Sequence, residues 1–386
     1  MTATPERIER LITAANPVGD ISEPIKDAVR TVPRHLFIPD VGLVVEEDGA
    51  PYLIDRQADP AAWWDTVYSG SIIVTQLDDG RTPLGDLHGD STSSASAPST
   101  VADLLNHLAP EPGMRVLEIG TGTGYTAALL AQLVGHQELV TSVEVDPQVS
   151  EQAAKNLVAA GVFRTRLLVG DGALGCPDGT LYDRVHVTCG IRDIPHAWVE
   201  QCRPGAVIVL PWHPGFGTSH ALRLEVQDDS TAVGRVVGYA GYMMIRSQRR
   251  KPLENQPQSE ERRNYRTALD PRALDQLDAG ADLAIGALTG LCSNTTEGTD
   301  DDGEYLRMWV SDPNDAASWA VATWRPGEAD HAVQQVGDRP VWDEVLHAYA
   351  RWVEFGEPHW KRFGVTVTPN GQTVWLDTPE EVLSSI

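Results

Sequence analysis

Residues 116–124 read Val-Leu-Glu-Ile-Gly-Thr-Gly-Thr-Gly and run directly into Tyr125-Thr-Ala-Ala-Leu-Leu-Ala131. The pattern is that of a buried strand, a glycine turn and a helix start. Gly120, Gly122 and Gly124 remove the Cβ atoms that would keep backbone away from a bound ligand, so the turn can hold a nucleotide-like group. A dinucleotide fingerprint places its third glycine three residues after the second, before a helix N-terminus that receives a pyrophosphate. Here the third glycine follows after two. Glu118, just ahead of the turn, is a poor neighbour for a pyrophosphate and a favourable one for a sulfonium cation. With Thr121 between the glycines, these residues point to S-adenosyl-L-methionine. Val140-Thr-Ser-Val-Glu144 reads as a second strand, its terminal carboxylate, followed by Val145, placed to accept hydrogen bonds from ribose hydroxyls. A third strand ends at Gly170-Asp171-Gly172, a turn suited to contact the adenine end.

The elements that must hold these residues are legible over the middle of the chain. Helix and strand alternate from 99 to 210: helix 99–109, strand 115–119, helix 124–134, strand 139–145, helix 147–160, strands 165–169 and 183–188, helix 194–202 and strand 206–210. Such alternation predicts a parallel, doubly wound α/β sheet with right-handed crossovers. Asp146-Pro147 fits an N-cap and first helical position. Short amphipathic helices at 5–15 and 22–32 break at Asn16-Pro17 and before Pro33; they are expected to pack on the core. Residues 40–98 read as irregular. After Pro211, 222–226 and 235–239 look antiparallel, and Arg246, Arg249, Arg250, Lys251, Arg262, Arg263 and Arg266 mark a basic, solvated linker. The remainder holds Trp309, Trp319, Trp324, Trp342, Trp352, Trp360 and Trp375, read as core residues of an additional α+β module. It also holds an acidic loop at 297–304, a helix near 342–355 and strands near 305–310, 317–323, 364–368 and 373–376. The division expected is 1–98 for N-terminal helices and substrate loop, 99–245 for the cofactor-binding core, 246–266 for the linker and 267–386 for the C-terminal module.

Composition excludes several classes. A chain of 386 residues can bury more than one core without staples. Its formal charge of −25 opposes a nucleic-acid or anionic-membrane partner. Cys176, Cys189, Cys202 and Cys292 lack paired ligand spacing, so neither a metal site nor a disulfide framework is expected. No apolar run approaches a membrane span, and the first residues lack a signal-peptide core, which together give a cytoplasmic expectation.

In the same order along the chain, Val32-Pro-Arg-His-Leu-Phe-Ile-Pro39, Ser93-Ser-Ala-Ser96-Ala-Pro98, Arg115–Tyr125, Gly170-Asp-Gly172 and Tyr182-Asp-Arg-Val resemble the protein-L-isoaspartate O-methyltransferases. The resemblance covers about residues 5–246 and implies a class I S-adenosyl-L-methionine-dependent methyltransferase fold. It also implies that Ser96 is the catalytic serine, that Ser94 stands where the family has threonine, and that Ser93 replaces its glutamine beside the cofactor. Composition alone would make 91–99 a flexible linker; its place just before the helix that leads into the glycine strand, as in the family, gives it the catalytic reading. Two departures suggest a specialised acceptor. Residues 61–80, with Trp63, Trp64, Tyr68 and Thr75 as substrate contacts, replace the family's short loop, and the tryptophan-rich module has no counterpart in the ordinary repair enzyme. Both look similar to an actinobacterial subgroup that methylates an L-aspartate of a ribosomally made, constrained precursor peptide (graspetide, lasso peptide or lanthipeptide). The ester then closes to an aspartimide or passes on to isoaspartate. General repair of isoaspartate and a non-catalytic cofactor-binding scaffold are the alternatives; the oligomeric state is not written in the sequence.

Overall fold

The computed structural model describes residues 3–16, 21–45, 49–249, 262–274 and 280–385; Pro17, Arg250 and Lys251 of the readings above lie outside them. Helices α1 (Pro5–Ala14) and α2 (Glu23–Thr31) form as expected, each with proline in its first turn. Their apolar faces, Leu11, Ile12, Ile25, Ala28 and Val29, are buried in the cluster that also takes in α4 (Pro98–Leu108) and α5 (Tyr125–Val134). They pack on the core, as the periodicity predicts.

The stretch read as irregular, 40–98, is folded. Strands β1 (Val41–Val45), β2 (Tyr52–Asp55), β3 (Ile72–Leu77) and β4 (Ser91–Ala95) make a sheet of order β2-β1-β3-β4, with α3 (Pro60–Val67) inserted before β3. Ser-Thr-Ser-Ser-Ala has little strand propensity of its own. Cross-strand pairing of Val74 with Ser94 and Ile73 with Ala95 imposes the strand, a tertiary override of local preference.

Strands β5 (Val116–Ile119), β6 (Val140–Glu144), β7 (Arg166–Val169), β8 (Tyr182–Val187) and β9 (Cys202–Trp212) pair in parallel in the order β7-β6-β5-β8-β9. Helix α6 (Pro147–Ala159) follows β6, and α7 (His196–Glu200) follows β8. The chain leaves β5 on one side toward β6 and returns on its other side with β8, so the crevice past the end of β5 is a topological switch point, where ligands bind in such sheets. Antiparallel strands β10 (His220–Val226) and β11 (Ala232–Tyr239) extend the sheet beyond β9.

The C-terminal part is woven into this sheet. A separate antiparallel sheet of order β12-β16-β15-β14-β13 is built from β12 (Arg262–Thr267), β13 (Cys292–Asp300), β14 (Gly303–Ser311), β15 (Trp319–Trp324) and β16 (His331–Val336). Its core face packs with α8 (Ala281–Thr289) and α9 (Val341–Glu354). The chain then returns to the large sheet as β17 (Phe363–Thr368), β18 (Gly371–Leu376) and β19 (Val382–Ser385), with β17 paired to β11, so the large sheet has ten strands. The acidic segment 297–304 is not a loop: it is the β13–β14 hairpin, whose Asp300 is ion-paired by Arg307 and Arg325. Arg262, Arg263 and Arg266, read as linker, lie in β12. Of the seven C-terminal tryptophans, Trp319, Trp342, Trp352, Trp360 and Trp375 are buried. No helix among the described residues is long and apolar enough to cross a membrane.

Candidate functional site

The crevice at the end of β5 is a cleft walled by β4, the glycine turn, the end of β6 and the segment 242–249. Gly120 has φ +93 and a Cβ there would meet Thr188 Oγ1 at 2.7 Å; Gly122 has φ +53 and faces the Ser94 carbonyl. Both positions therefore demand glycine, and the turn brings β4 against the cofactor loop. Gly124, also left-handed, starts α5 behind the turn.

Glu144 braces this geometry from the end of β6. Its Oε2 accepts from the Gly122 N–H at 2.9 Å and its Oε1 from the Asp146 N–H at 3.1 Å. Each oxygen keeps acceptor capacity for a hydroxyl. Asp146 caps α6 as expected, with Oδ1 accepting from the Gln148 and Val149 N–H groups. Its Oδ2 accepts from Gln76 Nε2 and from Arg246 Nη2. The cleft wall takes in Ser93, Ser94, Ser96, Gly120, Thr121, Gly122, Glu144, Val145 and Gly172 from the predicted set. A polar ribose-sized rim at Glu144 and an apolar recess of Ile119, Val145, Cys189 and Ile245 suit the two ends of S-adenosyl-L-methionine. Asp171 is close by, but its carboxylate caps the following turn at the Ala173 N–H and receives Ser247 Oγ; only its neighbour Gly172 lines the cleft.

Glu118 is a correction. Its side chain is 0% exposed and does not line the cleft, unlike those of its neighbours Ile119 and Thr121. Ser142 Oγ donates to Oε2 at 2.5 Å, and Thr121 Oγ1 lies 2.6 Å from Ser142 Oγ, so Glu118 supports the turn through two hydroxyls. Burial, opposed by the Ser142 hydrogen bond and reinforced by Glu144, pushes its pKa up to about 8. Burial thus favours the neutral acid and weakens the attraction for a sulfonium that the sequence suggested. His186, its register neighbour on β8, is also buried, which pushes its pKa down to about 4 and keeps it neutral. The folded protein thus holds a proton that the unfolded chain releases near pH 4.5. The contribution of Glu118 to stability is expected to be full below that value and to fall as pH rises from there to about 8, whereas buried His186 costs stability as pH falls below 6.5. Glu118→Gln keeps an acceptor for Ser142 and removes the ionisation, so its melting temperature should gain on the wild type between pH 6 and 9. Scanning fluorimetry across that range decides it: a difference independent of pH would assign the titration elsewhere.

The proposed aromatic contacts are also corrected. Trp63 and Trp64 are 0% and 2% exposed and Tyr68 is equally buried. Trp63 Nε1 donates to the Pro39 carbonyl, Trp64 stacks on Tyr68, and Tyr68 Oη pairs with His35 Nδ1 at 2.7 Å. These rings fill the core under the N-terminal sheet and are out of reach of a substrate. Thr75 Oγ1 donates to Ser93 Oγ at 3.1 Å and opens on a neighbouring cleft, away from the Ser96 side.

Several site residues went unassigned in the sequence. Arg34, inside the string Val-Pro-Arg-His, is 1% exposed; its Nη2 donates to the Ser96 carbonyl at 3.0 Å and its guanidinium lies over the Tyr125 ring. Its Nε and Nη1 have no hydrogen-bond partner among the described residues. Tyr242 is half-buried with its hydroxyl beside Ser96, and burial of that group pushes its pKa up to about 12, so the phenol keeps its proton. Arg246 and Arg249, read as linker, line the cleft and both bond Asp79 Oδ1, at 3.0 and 2.8 Å. That pairing ties the 78–80 turn across the cleft mouth. The basic stretch carried the signal, but nothing in the sequence pairs it with Asp79.

A parallel sheet with a glycine turn at its switch point, a carboxylate at the end of the next strand and a polar-apolar cleft between them define a class I methyltransferase using S-adenosyl-L-methionine. The sequence model of the family Protein-L-isoaspartate(D-aspartate) O-methyltransferase (PCMT) matches residues 83–249. A protein-L-isoaspartate O-methyltransferase of Archaeoglobus fulgidus is 35% identical over 192 residues, 50% of this chain and 73% of that relative. One from Methanopyrus kandleri is 35% identical over 205 residues, 53% of this chain and 75% of that protein. A solved structure titled protein-L-isoaspartate O-methyltransferase superposes with TM-score 0.54 at 22% identity, covering 97% of this chain and 99% of its own. The chain belongs to the protein-L-isoaspartate O-methyltransferase family and is an S-adenosyl-L-methionine-dependent protein carboxyl O-methyltransferase. Since that superposition takes in nearly the whole chain, the C-terminal segment has a counterpart in fold, contrary to the sequence expectation.

Proposed function

We propose that the acceptor is the free carboxylate of an L-isoaspartyl residue in a peptide or protein, and that its methyl ester closes to a succinimide. The observation that carries this reading is that Ser94 and Ser96 stand in the wall of the cofactor cleft and also in the wall of a second hollow outside it. An acceptor entering from outside thus meets the cofactor at the serines. The relatives' names support the isoaspartyl form of that acceptor.

A peptide carboxylate has a pKa of about 3.9 and is ionised near neutrality, so transfer needs no strong base. S-adenosyl-L-methionine supplies the electrophilic methyl group. The protein's task is alignment of one carboxylate oxygen, which can contribute roughly 7–11 kcal/mol. Ser96 Oγ hydrogen-bonds that carboxylate, Ser94 assists, and Arg34 fixes the Ser96 backbone from behind. After transfer, the next backbone nitrogen attacks the ester carbonyl, the five-membered ring closes, and methanol leaves with the amide proton.

A second reading, methylation of an L-aspartate in a ribosomal natural-product precursor, is favoured by Ser93 in place of the family's glutamine, held here by Thr75. Incubation with S-adenosyl-L-methionine and a matched pair of peptides, isoaspartyl and aspartyl, separates the two by mass spectrometry. Gain of a methyl group on the isoaspartyl peptide, then loss of methanol, is expected. Methylation confined to an aspartyl precursor would move the assignment to the second reading, and cofactor binding without transfer to any peptide would leave a scaffold.

A further inference from the structure

The hollow beyond the serines has a volume of about 210 Å³ and shares Ser94, Ser96, Tyr242 and Met243 with the cofactor cleft. The rest of its wall is built by Val45, Ile72, Val74, Ala97 and Gly241, with Ser91 and Thr100. Among the described residues none of this wall carries a charge, in a chain whose formal charge is −25. At its mouth Val45 and Ile72 face each other across the β1–β3 pairing and are 40% and 39% exposed. A cross-strand pair of large aliphatic side chains left half in water is a surface that gains by being covered.

We propose that this hollow is a specificity subsite that takes an uncharged, aliphatic side chain of the residue next to the methyl-accepting residue in the peptide substrate. The inference rests on the peptide-carboxylate reading above and deepens it. Its occupant follows from continuity and from chemistry. Ser94 and Ser96 are common to both cavities, so a peptide whose carboxylate meets the cofactor at the serines has its adjacent residue at the hollow. The wall offers aliphatic surface and hydroxyls, with no ion to pair a buried lysine or glutamate, so a charged neighbour would lose its hydration without compensation. Tyr242 lines both the hollow and the cofactor cleft, and its hydroxyl lies beside Ser96. The subsite thereby couples the fit of the neighbouring side chain to the residue that orients the carboxylate.

The test uses the full chain with isoaspartyl peptides that differ only at one position flanking the isoaspartate, on either side in turn, as leucine, asparagine, lysine or glutamate. Leucine and asparagine share the same branched heavy-atom outline and lack charge, so their ratio chiefly reports apolar burial. Methyl transfer measured as kcat/KM should favour leucine over asparagine about tenfold on one side of the isoaspartate, as expected for partial burial of one aliphatic group. Gly241 can receive a side chain, since a Cβ there meets no atom within 4 Å and its backbone is not left-handed. Gly241→Leu fills the hollow and should compress the leucine-to-asparagine ratio toward one. Ile72→Glu, at a half-exposed site that tolerates a polar group, should do the same and raise the relative rate of the lysine peptide. Equal rates for leucine and asparagine in the wild type, or a ratio that neither variant changes, would overturn the subsite while leaving the methyltransferase reading intact. No transfer to any peptide despite cofactor binding would instead bring down the peptide-carboxylate reading, and the subsite with it.

Discussion

Ser96→Ala is expected to lower kcat roughly 100-fold while leaving the dissociation constant for S-adenosyl-L-methionine essentially unchanged. The magnitude follows from the loss of one preorganised donor at a reacting oxygen, which typically costs 10²- to 10³-fold. The selectivity follows from the location. The glycine turn, Glu144 and the apolar recess line the inner cleft and not the outer hollow, whereas Ser96 is shared with that hollow, through which the proposed acceptor enters. The carboxylate is ionised without help, so the hydroxyl contributes orientation and not proton transfer. The kcat profile of the variant should accordingly keep the wild-type pH dependence between pH 6 and 8, only lower. Calorimetric titration with the cofactor and single-turnover methyl transfer to an isoaspartyl peptide measure the two quantities separately. Equal losses in both would make Ser96 a cofactor contact or a folding residue.

What the sequence disclosed and what it hid follow from how far each signal acts along the chain. The glycine turn, Glu144 and the Asp146-Pro147 cap are local: positive φ, strand-end carboxylate and first-turn proline are decided within a few residues, and all three stand where they were read. Strand β4 is the opposite case. Its Ser-Thr-Ser-Ser composition favours a linker, and only pairing to β3, some twenty positions earlier, makes it a wall of the site. Trp63 and Trp64 carried the right residue types for a ligand platform, yet the same area that would grip a ligand drives them into the core, each flanked by Arg56 on its ring face. Arg246 and Arg249 had a visible charge but no visible partner, because Asp79 lies in another layer of the fold. Glu118 was visible as a carboxylate, while its protonation depends on burial that spacing does not encode. The return of 363–385 to the large sheet depends on pairing between β11 and β17, more than a hundred residues apart.

Arg34→Met is expected to separate stability from activity more sharply than any other single change. A guanidinium with 1% exposure has lost its hydration, and burial lowers its pKa; two of its nitrogens have no hydrogen-bond partner among the described residues. No carboxylate is ion-paired to it among the described residues; its bonds go to the carbonyls of Ser96, at 3.0 Å, and Ser71, at 3.4 Å. Methionine fills similar volume and leaves those two carbonyls without a donor, a cost of about 1–3 kcal/mol each. Removing a poorly compensated buried charge offsets this, since apolar replacement of buried ions is often neutral or stabilising by about 1–4 kcal/mol. The melting temperature should therefore change little. Activity should not be spared, because the Ser96 carbonyl loses the bond that fixes the backbone carrying the orienting hydroxyl. A misplacement of about 1 Å at a reacting group can cost on the order of 100-fold. Arg34→Lys retains a cation but not the forked geometry, and restores activity only in part. Differential scanning calorimetry, cofactor titration and methyl-transfer kinetics on both variants form the test. A large fall in melting temperature that tracks the loss of activity would mean that Arg34 holds the fold together and positions Ser96 only as a consequence.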